Sequence, residues 1–284
     1  MIVTHHVISK DDTTIGYRRL GRGPALIILH GAMSAGHSHL QLAKALSDRY
    51  TCYLPDRRGR GASGPSGLRY GVQREVEDLS ALMEASGARM VLGVSSGAII
   101  TLKTALVRPE LDKAVIFEPP LSVNGSNDPG WLPLFDARIA SGDISGALVM
   151  GMKRTQMGPP LLNAMPEWLL RPMTNAMMKR QDADSQPGEP TFRQLAPTLH
   201  NDAWIVQETA DDLAGFAAVE AEVLLLGGSK SPAYLKQALT ALEGVLPHAC
   251  RVELPGLGHG ATGPTDQGGD PGAVAKELHA FLGI

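Results

Sequence analysis

Short apolar runs alternate along the chain with longer stretches whose apolar residues recur at helical period. Ile2 to Ser9 and Thr13 to Leu20 read as two strands around the Asp11-Asp12 turn, an opening hairpin. After the break at Gly21-Arg22-Gly23-Pro24, Ala25 to Leu29 is continuously apolar, as for a strand buried on both faces. A helix is expected over Ser38 to Arg49, with Leu40, Ala43 and Leu46 on one face, and a strand over Thr51 to Leu54. Val72 to Ser86 sets Val76, Leu79, Leu82 and Met83 on one helical stripe. Met90 to Val94 is an apolar run that leads into a helical stretch, Ala98 to Val107. Lys113 to Phe117 is a further strand, stopped by Glu118-Pro119-Pro120.

The pattern then changes. From Leu121 to about Phe216 no parallel strand is evident, and prolines, methionines and helical patches take over, at Leu132 to Ile139, Ile144 to Met152, Trp168 to Lys179 and Asp202 to Thr209. Alternation resumes with a strand at Glu222 to Leu226, a helix at Ala233 to Val245, a strand at Arg251 to Leu254 and a last amphipathic helix at Gly272 to Leu282. Strands alternating with helices predict an α/β fold, a mostly parallel central sheet covered by helices on both faces. The interruption predicts an inserted helical cap, residues 121–216, on a core made of residues 1–120 and 217–284. Met165, Met173, Met177 and Met178 are candidates to line a pocket under it, although methionines at helical spacing are more often plain core.

One stretch carries chemistry. Gly93-Val94-Ser95-Ser96-Gly97 is a Gly-x-Ser-x-Gly pentapeptide between a strand and a helix, the context a nucleophile elbow requires. Alone it is also compatible with a glycine-bearing turn and an incidental serine. His259, bracketed by Gly258 and Gly260 after the last strand, falls at the same sheet edge as Ser95 and is the candidate base. Among the other histidines, His5, His6, His248 and His279 read as surface or packing residues. His30 reads as a hydrogen-bonder fixing a turn, and His37 and His39 as incidental surface residues. Oxyanion donors are expected from the amides of Ser96 and of Ala32 or Met33, the latter pair following Leu29-His30-Gly31.

Composition changes little in this picture. A hydrophobic fraction of 43% and a charged fraction of 19% describe a globular chain with ample core. A formal net charge of −3 gives no footprint for nucleic acid or an anionic membrane. Cys52 and Cys250, each inside an apolar run, are expected to be buried free thiols in a reducing compartment. The first ten residues lack a signal-peptide pattern, so a soluble cytoplasmic protein is expected. No metal constellation or phosphate-binding loop is evident, so neither metal nor cofactor is expected.

Leu29-His30-Gly31, Asp56-Arg57-Arg58-Gly59-Arg60-Gly61-Ala62-Ser63, the Gly93–Gly97 elbow and Gly258-His259 together resemble the ordered landmarks of the α/β-hydrolase superfamily. The resemblance implies a sheet of about eight strands, a Ser–His–acid triad and a cap over the substrate. It also implies that Asp56 to Ser63 is a structural turn near the site. Many relatives carry the triad acid after the strand matching Val223 to Leu226, but here Ser231 stands about where that Asp would be. A serine cannot carry the charge that stabilises an imidazolium. Glu118 is the natural substitute, because some family members, haloalkane dehalogenases among them, place their acid after this strand. Asp211 and Asp212 are rivals, and Glu118 as a plain linker residue is the bland alternative. With serine at the elbow, the expected activity is hydrolysis of a carboxylic ester of a small, apolar acyl substrate through an acyl-enzyme. Alternatives are a lactonase, a carbon–carbon bond hydrolase, a cofactor-free enzyme on the same scaffold, or a non-catalytic ligand-binding protein.

Overall fold

The computed structural model describes residues 4–127, 130–158, 160–186, 188–210 and 212–283. Eight strands form one sheet: β1 (Thr4–Ile8), β2 (Thr14–Gly21), β3 (Ala25–Leu29), β4 (Thr51–Pro55), β5 (Met90–Val94), β6 (Lys113–Phe117), β7 (Glu222–Gly228) and β8 (Ala249–Leu254). Their order across the sheet is β1-β2-β4-β3-β5-β6-β7-β8. β1 and β2 form the opening hairpin and β2 pairs antiparallel with β4, while every later pairing is parallel.

The continuous apolar runs are sorted residue by residue onto two faces, because successive strand side chains point to opposite sides. Ile27, Val91, Ile116 and Leu225 pack on one face against α2 (Val72–Ser86) and α3 (Ser96–Ala105). Ile28, Leu92, Val115 and Leu224 pack on the other, against α1 (Leu40–Leu46). The expected helix over Ser38 to Arg49 is therefore shorter than its pattern, being a 3-10 turn at Gly36–His39 followed by α1.

Between β6 and β7 the chain runs through α4 (Leu132–Ala140), α5 (Ile144–Arg154), α6 (Pro160–Ala164), α7 (Glu167–Asp184), α8 (Phe192–Leu195) and α9 (Leu199–Glu208). Part of this insertion has its own small core of Leu132, Phe135, Ala147, Met150 and Ala203. α10 (Ala233–Glu243) and α11 (Pro271–Leu282) complete the two helical layers, α10 with α2 and α3, α11 with α1.

One expectation about the cysteines is corrected. Cys52 is buried, and burial pushes its thiol up to about 12, but Cys250 is exposed. It lies on β8, an edge strand in which Leu254 alone is buried, so one apolar-looking run has a solvent side. Among the described residues no helix is long and apolar enough to cross a membrane.

Candidate active site

The chain turns at Ser95, between β5 and α3, with φ 56° and ψ −123°. A non-glycine residue held in such a conformation costs about 1–3 kcal/mol and persists only where its surroundings over-determine it. Here they do. The Ser95 amide donates to the Phe117 carbonyl at 2.8 Å. A Cβ on Gly97 would stand 2.5 Å from the Leu29 carbonyl oxygen, so only glycine lets α3 begin this close to β3. Ser96 is the first residue of α3, and its amide is among those a helix leaves without an internal acceptor.

The turn after β3 presses against this elbow. A Cβ on Gly31 would stand 2.6 Å from the Ser95 Cβ, and Met33 adopts a positive φ of 52°. His30 fixes the turn from beneath. Its Nε2 accepts from the Arg57 amide at 3.0 Å, which leaves Nδ1 to donate to the Gly31 carbonyl at 2.9 Å. Burial, followed by the charges of Arg60 and Arg57, holds this imidazole well below its ordinary pKa, so it stays neutral. Ala32, Met33, Ser95, Ser96 and His259 all line one cavity of about 1280 Å³.

Glu118 follows β6 directly, at φ 46°, and is fully buried. Its Oε2 accepts from His259 Nδ1 at 2.6 Å and its Oε1 from the Gly228 amide at 2.6 Å. Of the rival carboxylates, Asp212 is paired with Lys103 at 2.8 Å, and Asp211 lies outside the described residues. Ser231 is buried and its hydroxyl has no partner among the described residues. Tyr234 lines the same cavity, its phenol pushed up by burial and by the Glu118 carboxylate.

The insertion supplies the opposite wall through residues such as Trp131, Val149, Met152, Met177, Phe192 and Leu199. Of the candidate methionines, Met177 lines the cavity, Met178 is buried and Met173 is largely exposed. His37 and His39 are not incidental surface residues. Both line the cavity, and His39 is buried with Nδ1 3.1 Å from the Thr262 carbonyl. The 3-10 turn at Gly36–His39 that carries both to the cavity left no periodic signal in so short a stretch. Among the described residues no group of three or more His, Cys, Asp or Glu side chains is arranged to hold a metal.

Sequence reasoning missed a buried ion-pair network beside the elbow. Arg57 forks onto Glu75 at 2.8 and 3.1 Å and reaches Asp202 of α9 at 2.7 Å. Arg60 meets the other Asp202 oxygen at 2.6 Å. Three arginines in the Asp56–Ser63 turn, with one nearby carboxylate in sequence, were the available signal, since buried arginines demand acids from elsewhere.

The alpha/beta hydrolase family model matches residues 26–277, and the chain belongs to this family. A 2-(acetamidomethylene)succinate hydrolase of Mesorhizobium japonicum is 24% identical over 268 residues, covering 91% of both chains. A cis-3-alkyl-4-alkyloxetan-2-one decarboxylase of Shewanella oneidensis is also 24% identical, over 89% of this chain and 82% of that one. Among solved structures, an alpha/beta hydrolase from Sphaerobacter thermophilus superposes with a TM-score of 0.79 at 29% identity, covering 98% of this chain and all of the other.

Proposed function

We propose that the protein is a serine hydrolase that cleaves carboxylic esters through an acyl-enzyme, with Ser95, His259 and Glu118 as its triad. The observation that carries the reading is the buried Glu118 carboxylate 2.6 Å from Nδ1 of His259, a histidine that lines the same cavity as Ser95 on its strained elbow. With Nδ1–H held by Glu118, the lone pair is left on Nε2, the atom a general base uses. Ser95 Oγ attacks the carbonyl carbon while His259 takes its proton. The oxyanion is bound by the amides of Ser96 and Ala32, and collapse expels the alcohol, which receives the proton from His259. Water then repeats the sequence on the acyl-enzyme. Residues 121–216 serve as the cap, and their apolar side chains in the cavity favour an apolar acyl group.

Intact-mass measurement after treatment with a fluorophosphonate tests this. A single adduct is expected on the wild type, none on Ser95→Ala, and a severely slowed one on His259→Ala. Hydrolysis of p-nitrophenyl butyrate should follow the same order. Equal labelling of Ser95→Ala, or a wild type that neither labels nor hydrolyses the ester, overturns the reading.

A further inference from the structure

The carboxylate of Asp202 lies on the insertion yet is spent on the catalytic turns. Its Oδ1 accepts from the Ser96 hydroxyl at 2.6 Å and from Arg57 Nη1 at 2.7 Å, and its Oδ2 accepts from Arg60 Nη2 at 2.6 Å. The other terminal nitrogen of Arg60, Nη1, donates to the Gly31 carbonyl at 2.8 Å and to the Ser34 carbonyl at 3.3 Å. Those carbonyls are the two ends of the Gly31–Ser34 turn. We infer that Asp202 is a positioning residue: through Arg60 and Ser96 it sets the oxyanion turn against the elbow, so the oxyanion hole is complete only with α9 docked on the core. The inference rests on the serine-hydrolase reading above.

The two arginines are not equally dependent on Asp202. Arg57 keeps its fork onto Glu75 and a contact with the Tyr70 hydroxyl when Asp202 is removed. Arg60 is buried, its Nε has no partner among the described residues, and its ion pair there is with Asp202. Without that carboxylate its charge is left uncompensated in the interior, which is strongly unfavourable, and the guanidinium must shift. The carbonyls of Gly31 and Ser34 then lose their clamp. Burial alone would raise the Asp202 carboxyl, but the charges of Arg60 and Arg57 outweigh it and hold the group below its usual range, so it is ionised at neutral pH.

The Asp202→Asn variant directs the damage. Ser96 and Arg57 both donate to Oδ1, so the amide oxygen is retained there and the amide nitrogen faces Arg60 Nη2, donor against donor. Charge and geometry then make opposite predictions. A negative charge beside a forming oxyanion opposes the reaction, so a purely electrostatic role would make Asp202→Asn faster. A positioning role makes it slower, because a misplacement of about 1 Å costs on the order of 100-fold.

The test measures kcat and KM for p-nitrophenyl butyrate in the full chain, normalised to sites that a fluorophosphonate labels. The variants are Asp202→Asn and Ser96→Ala, with Leu242→Ala as a control that loosens the core at α10, remote from the cavity. For Asp202→Asn, kcat per labelled site should fall about 10- to 100-fold with KM within about threefold. Ser96→Ala, which keeps the amide and removes one bond to Asp202, should lose about 3- to 10-fold. Leu242→Ala should lower Tm but keep kcat per site. A kcat per site in Asp202→Asn at or above wild type, or a loss confined to KM, overturns the inference. Should that variant fail to fold, unchanged kcat in Ser96→Ala overturns it instead. A wild type that does not label at all fails the hydrolase reading itself, and this inference with it.

Discussion

Replacing Glu118 by Gln should disable the base without disturbing the fold, and the geometry dictates how. Glu118 Oε1 accepts from the Gly228 amide, so the Gln oxygen must stay on that side, since an amide nitrogen there would face another donor. The Gln nitrogen is thereby turned toward His259 Nδ1, where it donates. His259 must then accept at Nδ1 and carry its proton on Nε2, the wrong tautomer for taking a proton from Ser95. The charge that stabilises the imidazolium is also gone. Together these predict a loss in kcat of about 1,000- to 10,000-fold, or about 4–5 kcal/mol of barrier. Stability should not fall, because side-chain volume is kept and a fully buried charge is replaced by a neutral group. Glu118→Asp is shorter by one methylene and cannot hold both 2.6 Å contacts, so it should lose about 100-fold. Asp212→Asn should stay within about twofold, since that carboxylate serves Lys103. The assay is kcat per fluorophosphonate-labelled site, with Tm measured alongside. A Glu118→Gln enzyme within about tenfold of wild type would show that another group orients His259.

Three further outcomes follow from single contacts. A Cβ on Gly227 would stand 3.0 Å from Glu118 Oε1 and 2.7 Å from Leu239 Cδ1, so Gly227→Ala should lower kcat about 10- to 100-fold by displacing the carboxylate; wild-type kcat would refute this. His39 is lowered by burial from 6.5 to about 4, and its Nε2 has no partner among the described residues, so a second proton there would find no acceptor. Stability from keeping it neutral is present above pH 6.5 and lost as pH falls from 6.5 toward 4, worth about 3 kcal/mol, so the urea midpoint should drop over that window and His39→Gln should flatten the drop. Arg58 forks onto Asp78 at 2.7 Å through two nitrogens and reaches Asp11 at 3.0 Å. Arg58→Met leaves Asp78 buried and unpaired, costing about 3–5 kcal/mol by urea unfolding at pH 7 while kcat per labelled site stays within about twofold. That cost should shrink at pH 5, because burial already raises Asp78 to about 6 and protonation removes the charge.

The strands from β3 to β7 were legible because each contains a short apolar run, and β3 and β6 have the bounds their patterns predict. The elbow was legible for a related reason. Close packing of α3 against β3 admits only glycine at 97, and that requirement shows in the sequence as a spaced glycine pair. The insertion was read only as helical patches. Its short segments α6 and α8 span five and four residues, about one turn each, and so carry little periodicity of their own. Asp202 was invisible for the same kind of reason. On α9 it is one charged residue before Ala203, and nothing local says that its partners lie about 140 positions earlier. Long-range ion pairs leave a deficit at one end, here the unmatched arginines, without naming the other end.

The absence of an acid at Ser231, the glycine pair ending β7, and the burial of Glu118 form one arrangement. β7 lies between β6 and β8 in the sheet, so a carboxylate after β6 must cross the end of β7 to reach a histidine placed after β8. That crossing spans two strand spacings of about 4.8 Å each. Glutamate has one methylene more reach than aspartate for the task. The crossing also needs an empty path, and Gly227 lies in register just past the Phe117–Leu226 pair, where any Cβ would meet Glu118 Oε1. The end of β7 contributes a backbone donor, the Gly228 amide, which holds the Glu118 carboxylate in place as it crosses. A carboxylate at 118 and the lack of a side chain at 227 therefore go together, because Glu118 reaches His259 only through space that a Cβ on Gly227 would crowd.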